Sequence, residues 1–343
     1  MRNHTYGRTE SIPVHRVAVL RPFAQFLADV GAPVEREFQR AGLPFFALEY
    51  LNNYVPSYLF WSFLVNTARN QAIEDLGFRV GRQYGADSAD PKLTSLLHQS
   101  PTLYRGILTA SDLTNKTITH CRLGLIQSPG SEHAYFYHRP SCDAQNPAIE
   151  QIGWFGLMTL LGIVRIFAGP EWHPSEMGLM TPHPPCNSIR EEFPGTHMRV
   201  SQQFSYIALE NALLSLPPIT HNAATPASSS VDYERFSNDF VGSFTQVLFT
   251  YLQEKDLSVD FAAGLCNTSK RTLQRKLAET GTRYSEVLDH ARFHAASRML
   301  QDPNMKVTDV SRLLGYSDPT HFSRTFRRIA GVTPRVYRQA YTR

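Results

Sequence analysis

The stretch VTDVSRLLGYSDPTHFSRTFRRIAGVTPRVYR, residues 307–338, decides the fold of the C-terminal part of this 343-residue chain. Apolar residues at helical spacing predict a short helix at its start, and Gly-Tyr-Ser at 315–317 predicts a turn. A second helix is expected over about 318–329, beginning at a Ser317 or Asp318 cap. The residues expected on its buried side are Phe322, Phe326 and Ile329. A helix, a tight turn and a second helix with an outward basic face are typical of a helix-turn-helix unit.

The same pattern occurs earlier, in DFAAGLCNTSKRTLQRKLAETG at residues 260–281. A short apolar helix, a break and a second helix are expected there, with Ser269 as the N-cap and Gly281 as the stop signal. One copy alone is equally typical of a solvated amphipathic helix in another all-α domain. Two copies, at about 258–280 and 306–329, favour a pair of helix-turn-helix units.

A long helix is expected between the two units, over about residues 284–301. At ~1.5 Å per residue it would separate them by ~27 Å, and major-groove faces on one side of B-DNA repeat every ~34 Å. A rigid pair of units therefore suits adjacent major grooves, with modest DNA bending making up the difference. His290 and His294 lie four residues apart on this helix, but a metal site needs further ligands and none is predicted.

Charge is distributed unevenly along the chain. The whole sequence has 34 Lys and Arg against 30 Asp and Glu, a net charge of +4. Residues 1–230 have a net charge of −1, whereas residues 270–343 contain 15 basic and 6 acidic side chains, a net charge of +9. Such a basic segment is the electrostatic footprint of a module that binds polyanions.

Composition and cysteine usage exclude several protein classes. The length favours two domains, and 42% hydrophobic residues are typical of a globular protein rather than a collagen-like or disordered chain. Four scattered cysteines without a C-x-x-C pair predict reduced, packed thiols. The longest uncharged apolar stretch, residues 151–164, is shorter than the ~20 residues that span a bilayer. It predicts a buried helix, and without a secretory signal the expected location is the cytoplasm, with no membrane partner.

The boundary between the domains is expected where Pro217, Pro218, Pro226 and a Ser run reduce the capacity for burial. We therefore predict an N-terminal domain over 1–215, a linker over 216–232 and a C-terminal domain over 233–343. The fold class expected is multidomain. An α+β effector-sensing domain precedes an all-α domain with two helix-turn-helix units joined by a long helix.

Within the N-terminal domain, helical spacing of apolar residues predicts helices near 17–31, 33–42 and 58–72, and an apolar helix over 149–168. Alternating segments on either side of Ser128-Pro129-Gly130-Ser131 predict a β-hairpin.

Residues from about 236 to 340 resemble the AraC/XylS family of bacterial transcription regulators. The resemblance rests on SKRTLQRKL (269–277), ARFHAASRML (291–300) and LLGYSDPTHFSRTFRRIAGVTPRVYR (313–338). It implies a double helix-turn-helix domain that binds double-stranded promoter DNA and regulates transcription. Activation is the commoner mode of action in the family, which also implies RNA polymerase as a partner.

Carried over by position, the resemblance implies two sets of DNA contacts. The base contacts are Arg271, Gln274 and Arg275 in the first unit and Thr320, His321 and Arg324 in the second. The phosphate contacts are Lys270, Arg327, Arg328 and Arg335. Arg suits guanine, Gln suits adenine and Thr suits the thymine methyl group, while phosphate contacts position the protein without reading sequence. Ser311 and Pro319 depart from the family pattern, although Pro is compatible with the first position of a helix.

The order of the N-terminal elements resembles the arabinose-binding-like (OruR-type) domain of one branch of that family. Its echoes are RAGLP (40–44), LLHQSPTL (96–103), EWHPSEMGLMTPHPP (171–185) and a strand-like segment over 189–200. The resemblance implies binding of a small-molecule effector and self-association as a homodimer. It does not imply that the effector is a sugar.

Five aromatic residues are candidates to line an effector pocket, although at such spacing they are also typical of a core. They are Trp61, Tyr135, Tyr137, Trp154 and Trp172.

Two alternatives stay open for the N-terminal domain. It either only dimerises, or it is a fused enzyme domain. The enzyme alternative needs an activated cysteine, and none of Cys121, Cys142 and Cys186 lies in the required setting. G-x-S-x-G, Walker and H-E-x-x-H motifs are also absent. We therefore predict an effector-controlled regulator that is not an enzyme and needs no cofactor.

Overall fold

A computed structural model describes residues 11–88, 91–119, 121–219, 237, 239–254 and 257–341. The chain forms two compact units. The helical unit consists of Met1–Val14, Asn53–Pro56 and Phe236–Arg343, and the sheet unit consists of His15–Asn52 and Ser57–Arg235. The predicted fold class, an N-terminal α+β domain followed by a helical domain, is confirmed. From residue 220 onward the predicted linker lies outside the described residues.

The N-terminal part of the chain contains seven strands and eight helices among the described residues. The strands are β1 (Val14–Arg16), β2 (Tyr54–Pro56), β3 (Cys121–Gln127), β4 (His133–Pro140), β5 (Glu176–Gly178), β6 (His197–Arg199) and β7 (Ser205–Glu210). The helices are α1 (Leu20–Asp29), α2 (Val34–Arg40), α3 (Ser57–Asn70), α4 (Leu76–Tyr84), α5 (Pro91–His98), α6 (Leu103–Thr117), α7 (Ile149–Ala168) and α8 (Asn187–Glu192). The helices predicted near 17–31, 33–42 and 58–72 correspond to α1, α2 and α3.

Five strands of the sheet unit form one sheet in the order β3-β4-β7-β5-β6. β3 and β4 are the predicted hairpin, antiparallel with Leu125 opposite Phe136. β4 also pairs antiparallel with β7, placing Tyr135 opposite Ala208, and β5 pairs antiparallel with β7 and parallel with β6. On β4 the residues alternate between buried and half-buried, because successive side chains point to opposite faces.

α7 is the central helix of the sheet unit. By length and composition it is apolar enough to cross a membrane, but 56% of its most apolar window is buried inside the protein. Trp154, Leu157, Leu161 and Val164 are each at most 2% exposed, in the same hydrophobic cluster as Phe136 of the sheet. Its apolar character therefore belongs to a helix in a protein core, as the sequence predicted.

α4 lies directly against α7 because glycines occupy the crossing. A Cβ atom on Gly77 would lie 2.1 Å from the Gln151 carbonyl oxygen, and one on Gly81 would lie 2.7 Å from Met158 Cβ. The Gln151 side chain also joins the two helices. Its Oε1 accepts a hydrogen bond from Gly77 N at 2.8 Å, and its Nε2 donates to the Glu74 carbonyl at 2.7 Å.

The segment predicted as strand-like, residues 189–200, contains a helix as well as a strand. α8 ends at Glu192, and β6 begins at His197. Ile189 and Phe193 are buried at 1% and 3% exposure, and this i, i+4 spacing buries one side of a helix rather than one face of a strand. The prediction of extended structure over the first part of this segment was therefore wrong.

The helical unit contains seven helices among the described residues. They are α9 (Phe240–Thr250), α10 (Val259–Leu265), α11 (Lys270–Glu279), α12 (Tyr284–Met299), α13 (Val307–Leu313), α14 (Pro319–Ala330) and α15 (Pro334–Tyr341). Two segments from early in the sequence belong to the same unit and are held by α9. The Ile12 N–H donates to Ser243 Oγ at 3.1 Å, and Thr250 Oγ1 both accepts from Tyr54 N and donates to the Tyr54 carbonyl.

We predict that Gly77→Ala destabilises the sheet unit by about 3 kcal/mol, because the added methyl group would overlap backbone and force α4 away from α7. Gly153→Ala is the matched control on α7, since its Cβ would meet its nearest neighbours at 3.6 Å. The control is expected to change the free energy of unfolding by less than about 1 kcal/mol. Urea denaturation followed by circular dichroism measures both. Equal stabilities of the two variants would contradict the close packing of α4 on α7.

Candidate nucleic-acid interface

The first helix-turn-helix unit is formed by α10, a short turn and α11. Ser258 caps α10 by accepting a hydrogen bond from Phe261 N at 3.2 Å, and Ser269 caps α11 by accepting from Thr272 N at 3.2 Å. In the turn, Asn267 adopts a left-handed conformation with φ of 48°, which Asn tolerates better than most residues. These local signals end one helix and start the next within five residues.

α11 exposes the residues that the sequence predicted as DNA contacts. Leu273 and Leu277 are buried, whereas Lys270, Arg271, Gln274 and Arg275 are exposed. Lys270 Nζ lies 2.9 Å from Asp260 Oδ2, and Arg275 Nη1 lies 2.8 Å from Glu279 Oε1. The side chains of Arg271 and Gln274 have no hydrogen bond to another described residue.

The second unit is formed by α13, a turn and α14. Gly315 adopts a left-handed conformation with φ of 75°, and the next residue, Tyr316, is buried. The Arg292 guanidinium of α12 lies over the Tyr316 ring, 4.7 Å from its centroid. Burial raises the pKa of the Tyr316 hydroxyl. The turn is therefore fixed from the side of α12.

α14 begins as the sequence predicted. Asp318 Oδ1 accepts a hydrogen bond from Thr320 N at 2.8 Å, and Pro319 occupies the first turn. This hydrogen bond lowers the pKa of the Asp318 carboxyl, and the positive charge of Arg324 contributes to the lowering. The departure at Pro319 therefore leaves the start of the helix intact.

The exposed side of α14 carries the remaining predicted contacts. Phe322, Thr325 and Phe326 are buried, and Ile329 is half-buried instead of fully buried. The exposed residues are Thr320, His321, Arg324, Arg327 and Arg328, together with Arg335 of α15. Arg328 Nη2 lies 2.6 Å from Asp289 Oδ2 of α12, so this arginine also joins α14 to the connecting helix.

α12 connects the two units. It spans 16 residues, and is therefore ~24 Å long rather than ~27 Å. Its buried residues are Val287, Ala291, Ala295 and Ala296, and the small alanine side chains let neighbouring helices approach closely. At its start, the Tyr284 hydroxyl donates to the Leu257 carbonyl at 2.6 Å, just before α10. The first unit is therefore tied to the beginning of α12.

All ten residues predicted to contact DNA are exposed, and they lie on α11, α14 or α15. They lie on the helices that follow the turns, away from the buried stripes. Their contact with DNA, and its division into base and phosphate contacts, stays a prediction.

The five aromatic residues predicted to line an effector pocket lie elsewhere in the sheet unit. Tyr135 and Tyr137 point away from the core-facing side of β4, where their rings pack on Tyr206 and Phe204 at centroid distances of 5.0 Å. Trp154 is 2% exposed in the core. Trp61 packs against a small cluster of Cys142, Ile149 and Met180, and Trp172 packs against the main core. Each of these five rings therefore packs against other side chains of the sheet unit.

A cavity of about 120 Å³ is present in the sheet unit, and none of those five residues lines it. The cavity does not support their assignment as pocket residues. Its polar lining includes His15, Arg16, Cys121 and His138. Burial raises the pKa of the Cys121 thiol to about 12 and lowers the pKa of His138 to about 4. Sequence reasoning missed this lining because its residues are distant in sequence and have no common motif.

Two capped helix-turn-helix units on one connecting helix, each with an exposed basic face, define a DNA-binding protein of the transcription-regulator class. The sheet unit adds a second domain with an internal cavity. Comparison with known families agrees with both parts. Residues 31–218 match the arabinose-binding domain found at the N-terminus of AraC transcription regulators, and residues 262–340 match a helix-turn-helix domain. The chain belongs to the family of AraC transcription regulators with this N-terminal domain.

Individual relatives agree with that membership. The ornithine utilization regulator of Pseudomonas aeruginosa is 29% identical over 192 residues, which are 54% of this chain and 56% of that protein. The transcriptional activator NphR of a Rhodococcus species is 32% identical over 117 residues, or 34% of each chain. These matches span about half or less of the relatives' lengths. Among solved structures, the transcriptional regulator CdpR from Pseudomonas aeruginosa is 18% identical with a TM-score of 0.41, covering 98% of this chain and 100% of its own.

Ser311 is buried on α13 at 0% exposure, and its hydroxyl has no hydrogen-bond partner among the described residues. We predict that Ser311→Ala stabilises the helical unit by about 1 kcal/mol, because it removes a buried polar group that is not satisfied. Ser243→Ala is the matched control. Its hydroxyl donates to the Phe240 carbonyl and accepts from Ile12 N, so about 1 kcal/mol is expected to be lost. Urea denaturation measures the free energy of unfolding of both variants. Destabilisation by Ser311→Ala would show that the Ser311 hydroxyl forms a hydrogen bond in the folded protein.

Proposed function

We propose that this chain is a sequence-specific regulator that binds promoter DNA through residues 233–343 and senses a small-molecule effector through residues 1–215, joined by the linker 216–232. The observation that carries the proposal is the pair of capped helix-turn-helix units on α12, whose exposed faces are basic. A lone basic surface would favour only nonspecific binding, but two positioned helices suit two major grooves.

Base reading belongs to Arg271, Gln274 and Arg275 on α11 and to Thr320, His321 and Arg324 on α14. Arg271, Gln274 and Arg324 are exposed, so their polar atoms reach a base edge without disrupting the core. An Arg presents two donors to guanine O6 and N7, and Gln forms two hydrogen bonds with adenine. These residues determine the sequence that is recognised.

Phosphate binding belongs to Lys270, Arg327, Arg328 and Arg335. Lys270 and Arg328 each form an exposed ion pair within the protein. Exposed ion pairs of this kind contribute only ~0–1 kcal/mol to the stability of the fold. A DNA phosphate therefore replaces the carboxylate partner with little loss of stability. These four residues fix the position of the protein on the duplex rather than the sequence read.

Regulation occurs through a shift between two arrangements of the protein. An effector that binds the DNA-competent arrangement more tightly raises its population by the difference in affinity. The mode of action is activation of transcription through RNA polymerase, and it takes place in the cytoplasm. The N-terminal domain also forms a homodimer. The name of NphR, a transcriptional activator, supports activation. Burial raises the pKa of the Cys121 and Cys142 thiols to about 12, so these two thiols are poor nucleophiles.

The DNA-binding proposal is tested with duplexes selected by the full chain from a random library. We predict that Arg324→Ala weakens binding to the selected duplex by about 1–3 kcal/mol and relaxes specificity at one base pair. Fluorescence anisotropy on selected and random duplexes measures the effect. Equal losses on both duplexes would rule out a base contact for Arg324.

Arg327→Ala is the matched variant on the same helix. We predict that it weakens binding to selected and random duplexes alike and reduces the slope of log K against log salt by about one unit. Arg328→Ala is expected to do the same. Because Arg328 also pairs with Asp289, Asp289→Asn separates the two roles. An equal loss of DNA binding in Asp289→Asn would assign the Arg328 effect to the ion pair instead of a phosphate.

A further inference from the structure

The cavity of the sheet unit lies against one side of α7. The residues of α7 that line it are Ile152, Phe155, Gly156, Thr159 and Ile163. Their spacing of i, i+3, i+4, i+7 and i+11 places them on one side of the helix. The first four are only half-buried, although α7 is the most deeply packed helix of the unit. The protein's own side chains therefore do not fill the space beside α7.

The rest of the wall is mostly apolar. Phe60, Leu93, Leu123 and Leu160 are buried around the cavity. Leu113, Thr114, Ile118 and Cys121 also line it and are half-buried, like most of the lining residues of α7. These four residues lie where the end of α6 leads into β3. The end of α6 and the start of β3 therefore contribute part of the wall.

Basic side chains contribute the polar part of the wall. Arg16 is 7% exposed and donates a hydrogen bond to Asn52 Oδ1. His15 Nδ1 lies 2.8 Å from Ser57 Oγ, and His138 Nε2 lies 3.3 Å from the Gly153 carbonyl, so both rings are held in place. Within the described part of the chain, the lining contains no Asp or Glu. Arg16 therefore supplies the permanent positive charge of the lining.

From this combination of apolar walls and a buried guanidinium, we propose that the cavity binds a small apolar monocarboxylic acid. Its carboxylate contacts Arg16 and its hydrocarbon part lies against α7. A cavity of ~150 Å³ admits benzene, so a cavity of about 120 Å³ suits an acid whose hydrocarbon part has at most about six carbon atoms. Arg is well suited to a carboxylate, because its donors form two parallel hydrogen bonds.

A sugar fits this cavity poorly. Each hydroxyl group that leaves water needs a new hydrogen-bond partner, and most of the lining side chains are Leu, Ile, Val and Phe. The Thr159 hydroxyl, one of the polar groups on α7, already donates to the Phe155 carbonyl at 2.9 Å. An acid places one polar group at Arg16 and leaves the rest of the wall in apolar contact.

The proposal rests on the proposed function, because it identifies the class of effector. It is tested by isothermal titration calorimetry on the full chain with benzoate and hexanoate. Benzamide, hexanamide and L-arabinose are the comparison probes. We predict that at least one acid binds with one site per chain, that its amide binds at least about tenfold more weakly, and that L-arabinose does not bind. Equal affinity for acid and amide would overturn the carboxylate class.

Two pairs of variants locate the site. Ile118→Trp places a larger side chain in the wall of the cavity and is expected to abolish acid binding. Its control, Leu108→Trp, replaces an exposed side chain of α6, the helix that ends just before Ile118, and Leu108 does not line the cavity. Arg16→Gln is expected to weaken acid binding at least about tenfold while leaving amide binding unchanged, and Arg122→Gln is its control. Undiminished binding in Ile118→Trp would overturn the location, even if Arg16→Gln fails to fold.

DNA affinity of the full chain, measured with and without the acid, separates this inference from the proposed function. An acid that binds in the cavity without changing DNA affinity supports the site and contradicts its role as an effector. If neither acid binds, the inference is overturned, and the proposed function still stands if another metabolite changes DNA affinity.

Discussion

The arrangement of the helical unit depends on the packing of α12. Ala291, Ala295 and Ala296 present small side chains to the helices around them, so those helices lie close and are poorly able to shift. At its start α12 is held to the first unit by the Tyr284 hydroxyl on the Leu257 carbonyl. Further along, Arg292 stacks on Tyr316 and so fixes the turn of the second unit. One helix thereby sets the orientation of both recognition helices.

The C-terminal fold could be predicted from the sequence because its signals are local. Ser269 and Asp318 accept hydrogen bonds from backbone N–H groups two or three residues further on, and this chemistry is readable without tertiary structure. Apolar spacing identifies the inward residues for the same reason. Ile329 and Thr325 are where this reasoning failed, since the threonine is buried and the isoleucine only half-buried. A residue at the edge of the apolar face of a helix is buried only if a neighbouring helix covers it. The spacing of apolar residues in the sequence does not specify where that neighbouring helix lies.

The cavity could not be predicted, because its wall is assembled by long-range packing. Arg16, Ile118, His138 and Thr159 come from four separate segments of the chain and share no motif. Aromatic residues attracted attention as pocket candidates, yet alternation along β4 sends Tyr135 and Tyr137 to one face and His138 to the other. Residue type therefore pointed to the face of β4 that does not line this cavity. The family match over 31–218 likewise identifies the domain but not the chemistry of its cavity.

Arginine has opposite roles in the two units because its surroundings differ. On α14 the Arg328 side chain is 61% exposed beside Asp289, so water solvates the charge and the pair contributes little to stability. Exchanging that carboxylate for a phosphate therefore leaves the fold intact, as a surface that binds and releases DNA requires. Arg16 is 7% exposed, and a buried charge is stabilised only by the groups around it. The acid proposed for the cavity would add to that stabilisation, which would couple ligand binding to the stability of the sheet unit.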